Sequence, residues 1–215
     1  MKKIISLILV ALFAIFAVSC GENTSNEDAE PSIISPGTPQ ENAYGTLHHV
    51  EMTFDGFGTV KLELYADMAP ITVGHFIDLV KSGYYDGTSI IRVQAGFVVQ
   101  GGKGSGTSTI KGEFSSNGVD NTVAHKRGVL SMARSTSMDS ASDQFFICLN
   151  DESAKSLDGR YAAFGAVVEG MDIIDKIVEA RNDINCLDLS NLSRAQIGFL
   201  NTESYVKILS AKVID

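Results

Sequence analysis

Between residues 46 and 215 the chain alternates short apolar runs with glycine- and aspartate-rich breaks, and the period changes from run to run. "HVEMTF" places Val50, Met52 and Phe54 on one face by strict alternation, and after "DGFG" the run "VKLELY" does the same with Val60, Leu62 and Leu64. Two alternating runs joined by a glycine turn predict a β-hairpin. Pro70 then opens "PITVGHFIDLVKSG", where Val73, Phe76, Ile77 and Val80 recur at i, i+3, i+4 and i+7. That spacing predicts a helix starting at the proline and ending at Gly83. "IIRVQAGFVVQGG", residues 90–102, predicts a strand, with Gly96 as a point where the chain can bend. "GVLSMA", "QFFICL" and "AAFGAVV" predict further strands. "MDIIDKIVEA" predicts a second helix with Met171, Ile174 and Val178 on one face, and "YVKILSAKVI" a closing strand. Many strands with two helices far apart predict a mainly β barrel or sandwich with helical caps, not an alternating α/β fold.

The first 45 residues follow other rules. Met1-Lys2-Lys3 is a basic start, Ile4 to Val18 is apolar except for Ser6, and Ser19-Cys20 follows. This is the layout of a secretory signal, too short for a comfortable membrane span. With a cysteine at the cleavage point, residues 1–19 resemble a bacterial lipoprotein signal, which implies lipidation of Cys20 and a cell-envelope location, periplasmic or outer-membrane. Ala17 departs from the leucine usual in that motif. Residues 20–45 are polar and acidic, hold three of the four prolines and show no apolar period. They predict a flexible acidic tether. Residues 46–215 then suffice for one domain with its own core.

Charge and cysteine content narrow the function. The formal net charge is −9, and removal of a leader holding two lysines and no acids takes it to −11. Such a surface argues against a nucleic-acid partner. Besides Cys20 the chain has only Cys148 and Cys186, without CxxC spacing, and whether they pair is open. "GGKGSGTST" satisfies neither a Walker-type nor a dinucleotide fingerprint, because Gly104 follows Lys103. His48 and His49 are neighbours on a strand and point to opposite faces, so they do not make a joint metal clasp. His75 and His125 have no local ligand cluster. Neither Ser131 nor Ser135 sits in a GxSxG elbow. No metal or other cofactor is expected.

Taken in order, "TVGHFIDLVKSGYYDGT", "IIRVQAGFVVQGG", "GVLSMAR", "SASDQFFICL" and "LDGRYAAFGAVVEGMDIIDKI" resemble the cyclophilin-type peptidyl-prolyl cis-trans isomerases. The resemblance covers nearly all of residues 46–215. It implies a closed eight-stranded antiparallel β-barrel capped by two helices, and catalysis of rotation about X–Pro bonds in unfolded or flexible chains, without covalent intermediate or cofactor. It implies that Arg92 is the catalytic donor and that Gln100 anchors substrate and arginine. The proline pocket falls to Phe97, Val98, Phe146 and Leu157, the substrate-pairing edge to Ala133 and Arg134, and a polar wall to Gln144. Tyr161 stands where many members have a histidine. Arg92 and Gln100 would share a face if their strand were unbroken.

The departures are informative. Ile90-Ile91 replaces Phe-His, and Gln94-Ala95-Gly96-Phe97-Val98 replaces Ile-Pro-Gly-Phe-Met, which suggests a shallower pocket. Arg134 replaces an asparagine. Ser156 replaces the tryptophan of the drug-binding eukaryotic members, so weak cyclosporin binding is expected. Residues 181–201, longer than the usual link, read as a tolerated surface loop or a partner surface. The leading expectation is a monomeric, lipid-anchored isomerase acting on exported chains. A non-catalytic proline-peptide module and an envelope-interaction protein recruiting partners through tether and insertion are the alternatives.

Overall fold

The alternating runs become strands because their period matches the pleat. In the computed structural model, which describes residues 46–104 and 106–215, β1 (Leu47–Phe54) and β2 (Gly58–Tyr65) form the first hairpin. Val50 lies opposite Leu62 and Met52 opposite Val60. The remaining strands are β3 (Ser89–Gln94), β4 (Val98–Gly101), β5 (Val129–Met132), β6 (Phe145–Cys148), β7 (Ala163–Glu169) and β8 (Val206–Val213). They close as β1-β2-β7-β5-β6-β4-β3-β8, every pair antiparallel, with β8 returning to β1. The expected eight-stranded barrel is present. The leader, the tether and Cys20 lie outside the described residues.

Each end of the barrel carries a helix. α1 (Pro70–Lys81) follows β2 and inserts Val73, Phe76 and Val80. Its first turn is capped from a distance: the Glu113 carboxylate accepts from the amides of Ile71 (3.1 Å) and Thr72 (2.7 Å) and from the Thr72 hydroxyl. A buried carboxylate there satisfies orphan amides and complements the helix dipole. At the other end Gly83, at φ 71°, donates to the Val80 carbonyl while Tyr84 donates to Leu79. This Schellman pattern explains why Gly83 ends the helix. α3 (Met171–Arg181) lies against the start of β2 and buries Ile174 and Ile177. Two short helices not foreseen, α2 (Asp151–Ala154) and α4 (Leu192–Gln196), complete the set.

Two apolar clusters occupy opposite sides of one wall. On β6, Phe145 and Ile147 join the barrel core, whereas Phe146 and Cys148 belong to a second cluster outside it. β4 divides the same way, Val99 inward and Val98 outward, and β5 turns Leu130 and Met132 in and Val129 out. Every residue of β4, β5 and β6 is therefore buried. Burial on both faces is what makes these segments continuous apolar runs instead of alternating ones.

That double burial hid a turn. Residues 90–102 are not one strand but the end of β3, a turn and β4. Phe97 donates to the Gln94 carbonyl (3.0 Å) across Ala95 and Gly96, the latter at φ 72°. The inserted segment is also not a free loop: Gly198 and Leu200, just after α4, are bonded to β3. His48 and His49 both reach the Asp215 carboxylate, at 2.9 and 3.8 Å, because it sits at the strand edge between them. Cys148 and Cys186 are free thiols.

Candidate active site

Four neighbouring strands carry one lateral row on the outside of the wall. Arg92 on β3 stands opposite Gln100 on β4, Gln100 opposite Phe146 on β6, and Phe146 opposite Ser131 on β5. Arg92 and Gln100 thus share a face through cross-strand pairing, not through parity along one strand. Adjacent strands are about 4.8 Å apart, which sets the arginine and the phenylalanine backbones roughly 10 Å apart.

Above this row lies an open cavity of about 570 Å³. Arg92, Phe97, Val98, Gln100, Ala133, Arg134, Gln144, Phe146, Leu157 and Tyr161 all line it. So do Gly104, Ser135, Ser140, Ser142 and Phe199, none of which the sequence had singled out as groove residues. The apolar side is built from separate elements. Phe97 comes from the β3–β4 turn, where its carbonyl accepts from Leu149 (2.8 Å). Leu157 ends the single 3-10 turn after α2. Tyr161 meets Phe146 edge-on, with centroids 5.7 Å apart. Arg134 lies over the Tyr161 ring at 4.7 Å and donates to the carbonyls of Arg160 and Ser135. Its guanidinium thereby forms one edge of the recess.

The polar side is a chain of donors. Arg92 Nε donates to the Ile197 carbonyl (2.7 Å), Nη1 to Gln100 Oε1 (3.2 Å) and Nη2 to Gln94 Oε1. Gln100 Nε2 donates in turn to Gln144 Oε1 (2.9 Å). Gln144 packs on Gly104, where a Cβ would come within 2.4 Å of its amide nitrogen. The Asp143 carboxylate pins that loop by accepting from the amides of Lys103 (2.8 Å) and Gly104 (2.7 Å). Burial lowers the pKa of the Arg92 guanidinium, with Tyr161 acting in the opposite direction. An arginine nevertheless keeps its charge at any physiological pH. Of its five N–H groups, three are engaged and two have no acceptor among the described residues.

Beneath Phe146 runs a relay, buried at Ser131 and His125 and exposed at Asp158, that sequence spacing did not disclose. Ser131 Oγ lies 3.0 Å from His125 Nε2, and His125 Nδ1 lies 2.9 Å from Asp158 Oδ1. The order matches a nucleophile, base and acid. Ser131 is fully buried, however, and no substrate carbonyl can reach its hydroxyl. The imidazole instead stacks under Phe146, with centroids 6.2 Å apart, and fixes the floor of the recess. Burial lowers the pKa of His125 against the opposing pull of Asp158. Burial also pushes the Cys148 thiol up to about 12, which keeps it protonated and inert. Among the described residues no group of three or more His, Cys, Asp or Glu side chains is placed to hold a metal ion. The arrangement pairs a rigid cation with spare donors and a small apolar recess. It suits a compact apolar ring next to an atom that gains electron density.

A family model described as cyclophilin type peptidyl-prolyl cis-trans isomerase matches residues 49–196. Peptidyl-prolyl cis-trans isomerase A of Dickeya dadantii is 40% identical over 145 residues, covering 64% of this chain and 75% of that protein. Peptidyl-prolyl cis-trans isomerase B of Escherichia coli is 41% identical over 133 residues, covering 56% of this chain and 78% of its own. Among solved structures, a cyclophilin type isomerase of Cryptosporidium parvum superposes with a TM-score of 0.62 at 23% identity, covering 79% of this chain and 99% of that one. The same Cryptosporidium protein in the presence of the dipeptide Ala-Pro gives a TM-score of 0.61.

Proposed function

The chain belongs to the cyclophilin-type peptidyl-prolyl cis-trans isomerase family, and from that premise we propose that Arg92 is its catalytic group and the cavity beside it the site of the proline. Rotation about X–Pro faces a barrier of roughly 18–20 kcal/mol from amide resonance. Uncatalysed exchange takes on the order of tens to hundreds of seconds, slow enough to limit folding. At the twist the resonance is lost and the proline nitrogen recovers a lone pair. A donor aimed at that nitrogen stabilises the twisted state and neither planar one. The ring enters the recess of Phe97, Val98, Phe146 and Leu157. Gln100 orients both the guanidinium and the substrate backbone, and the Ala133–Arg134 segment and Gln144 line the substrate's path.

The observation that carries this reading is the Arg92 guanidinium, held by three acceptors with two donors to spare at the edge of an apolar recess. Replacing Arg92→Ala should lower kcat/KM for a proline peptide about a hundredfold to a thousandfold, the usual cost of one preorganised donor, with thermal unfolding unchanged. Equal rates in both proteins would refute catalysis by Arg92. Retained peptide affinity in a wild type that does not isomerise would instead favour a binding module.

The proposal extends to location. The sequence of residues 1–45 supports export and anchoring through a lipidated Cys20, with the acidic tether leaving the domain free to meet exported chains. The mass of the mature amino terminus decides this: an acylated Cys20 is expected, and an unmodified terminus counts against the anchor.

A further inference from the structure

The segment from Asp183 to Asn201 ends on the arginine. β8 accompanies β3 only at Ser89 and Ile90, which leaves the edge of β3 beyond Ile90 without a strand partner from β8. The inserted segment takes that edge. The Leu200 amide donates to the Ile91 carbonyl (2.9 Å), and the Val93 amide donates to the Gly198 carbonyl (2.8 Å). Phe199 thereby stands opposite Arg92 as an isolated bridge. One residue before the Gly198 rung the Ile197 carbonyl accepts from Arg92 Nε, and between the rungs the Phe199 ring lies 5.7 Å from the Arg92 guanidinium carbon. Arg194 covers the same ring at 4.3 Å and is paired with Asp188 at 3.4 Å.

The geometry points to this segment as the positioning element for Arg92, an inference that rests on the catalytic role proposed above. A guanidinium on a flexible stem must be held to a fraction of an ångström to act on a twisted amide. Two of its acceptors, Gln94 and Gln100, are themselves side chains that can turn. The third is a backbone carbonyl held from both directions: the next residue, Gly198, is bonded to β3, and the Ile197 amide donates to the Arg194 carbonyl in α4 (3.2 Å). It fixes Nε, and with it the plane in which the two free N–H groups lie. Gly198 makes the approach possible: it adopts φ 85°, and a Cβ there would sit 2.2 Å from the Val93 carbonyl oxygen. Gly198 and Ile197 act through Arg92 and are not catalytic residues.

The test is Gly198→Ala, alone and combined with Arg92→Ala, in a proline-peptide isomerisation assay run at enzyme concentrations that resolve the residual rate. The expected result is a roughly tenfold loss in kcat with KM changed less than twofold. No further loss should follow in the Arg92→Ala background, since a residue that acts only through another adds nothing once that other is gone. The Arg92 Nε–H resonance should also lose its protection from exchange. Full activity of Gly198→Ala overturns the proposal, and so does an equal loss in both backgrounds. Thermal unfolding monitors the fold. Should Gly198→Ala not fold, Arg194→Ala, which uncovers the Phe199 ring from outside the cavity, is read through the same cycle, with a loss of about threefold expected in wild type and none in Arg92→Ala. If Arg92→Ala itself retains full rate, the catalytic reading falls. If it is crippled while Gly198→Ala is not, positioning alone falls.

Discussion

Arg92 tolerates an apolar wall because its hydrogen bonds are supplied by three different parts of the chain: its own strand through Gln94, the next strand through Gln100, and the insertion through Ile197. An unpaired buried cation would cost several kcal/mol. A cation saturated on one side and open on the other loses little of that and keeps a direction. The order of motifs, and the family resemblance it carries, singled out Arg92, Gln100 and the pocket residues in the sequence, and all of them line the cavity. Phe199 and Ile197 were illegible. Ile197 acts through its carbonyl, which every residue owns, and both meet a residue more than a hundred positions away. At Ser156 the side chain is too small to offer an aromatic face, and its hydroxyl is spent on the Ser153 carbonyl (3.0 Å). Cyclosporin should therefore inhibit only at micromolar concentrations or above. Nanomolar inhibition in the isomerisation assay would sink that expectation.

Among the elements, those with one solvent-facing side were readable at once. β1 and β2 alternate and are joined through Gly56 at φ 75°, and α1 shows its four-residue spacing and stops at Gly83 at φ 71°. The β3–β4 hairpin was not readable, for a physical reason. Val98, Val99, Gln100 and Gly101 are buried irrespective of which way they point, so the polar–apolar rhythm that marks a strand's face is absent. Only Gly96 hinted at the turn. The inserted segment failed for the opposite reason. It has exposed apolar residues, Ile184, Leu189, Leu192 and Ile197, but no period, and its order comes from docking on the edge of β3. Elements defined by a partner strand cannot be recovered from their own pattern.

At the scale of the whole domain, acid should act through two groups that anchor different parts of it. His125 supports the floor of the recess, and burial depresses its pKa. Asp215 ties β8 to β1. Burial pushes its carboxyl up, but the His49 amide (2.5 Å) and the two imidazoles pull it further down, so it ends below the ordinary range. In both cases the unfolded chain binds the proton more readily than the folded one, so stability rises with pH in each window. For His125 the loss should begin as pH falls below about 6.5, and for Asp215 below about 3.9. The urea midpoint should accordingly drop first in the upper window, and His125→Gln should abolish that first drop. A wild-type midpoint constant from pH 7 to the onset of carboxylate titration would contradict this.

The two apolar clusters share no side chain, though they lie back to back across the same strands. In mutational terms this makes substrate preference and folding nearly separate traits. A change at Leu157 or Tyr161 reshapes the recess without opening a void behind Phe145 or Leu130, so its effect on specificity should add to, and not compound, the effect of a change inside the barrel. A lineage carrying this domain could therefore drift toward new clients one groove residue at a time, with the barrel serving as an inherited constant.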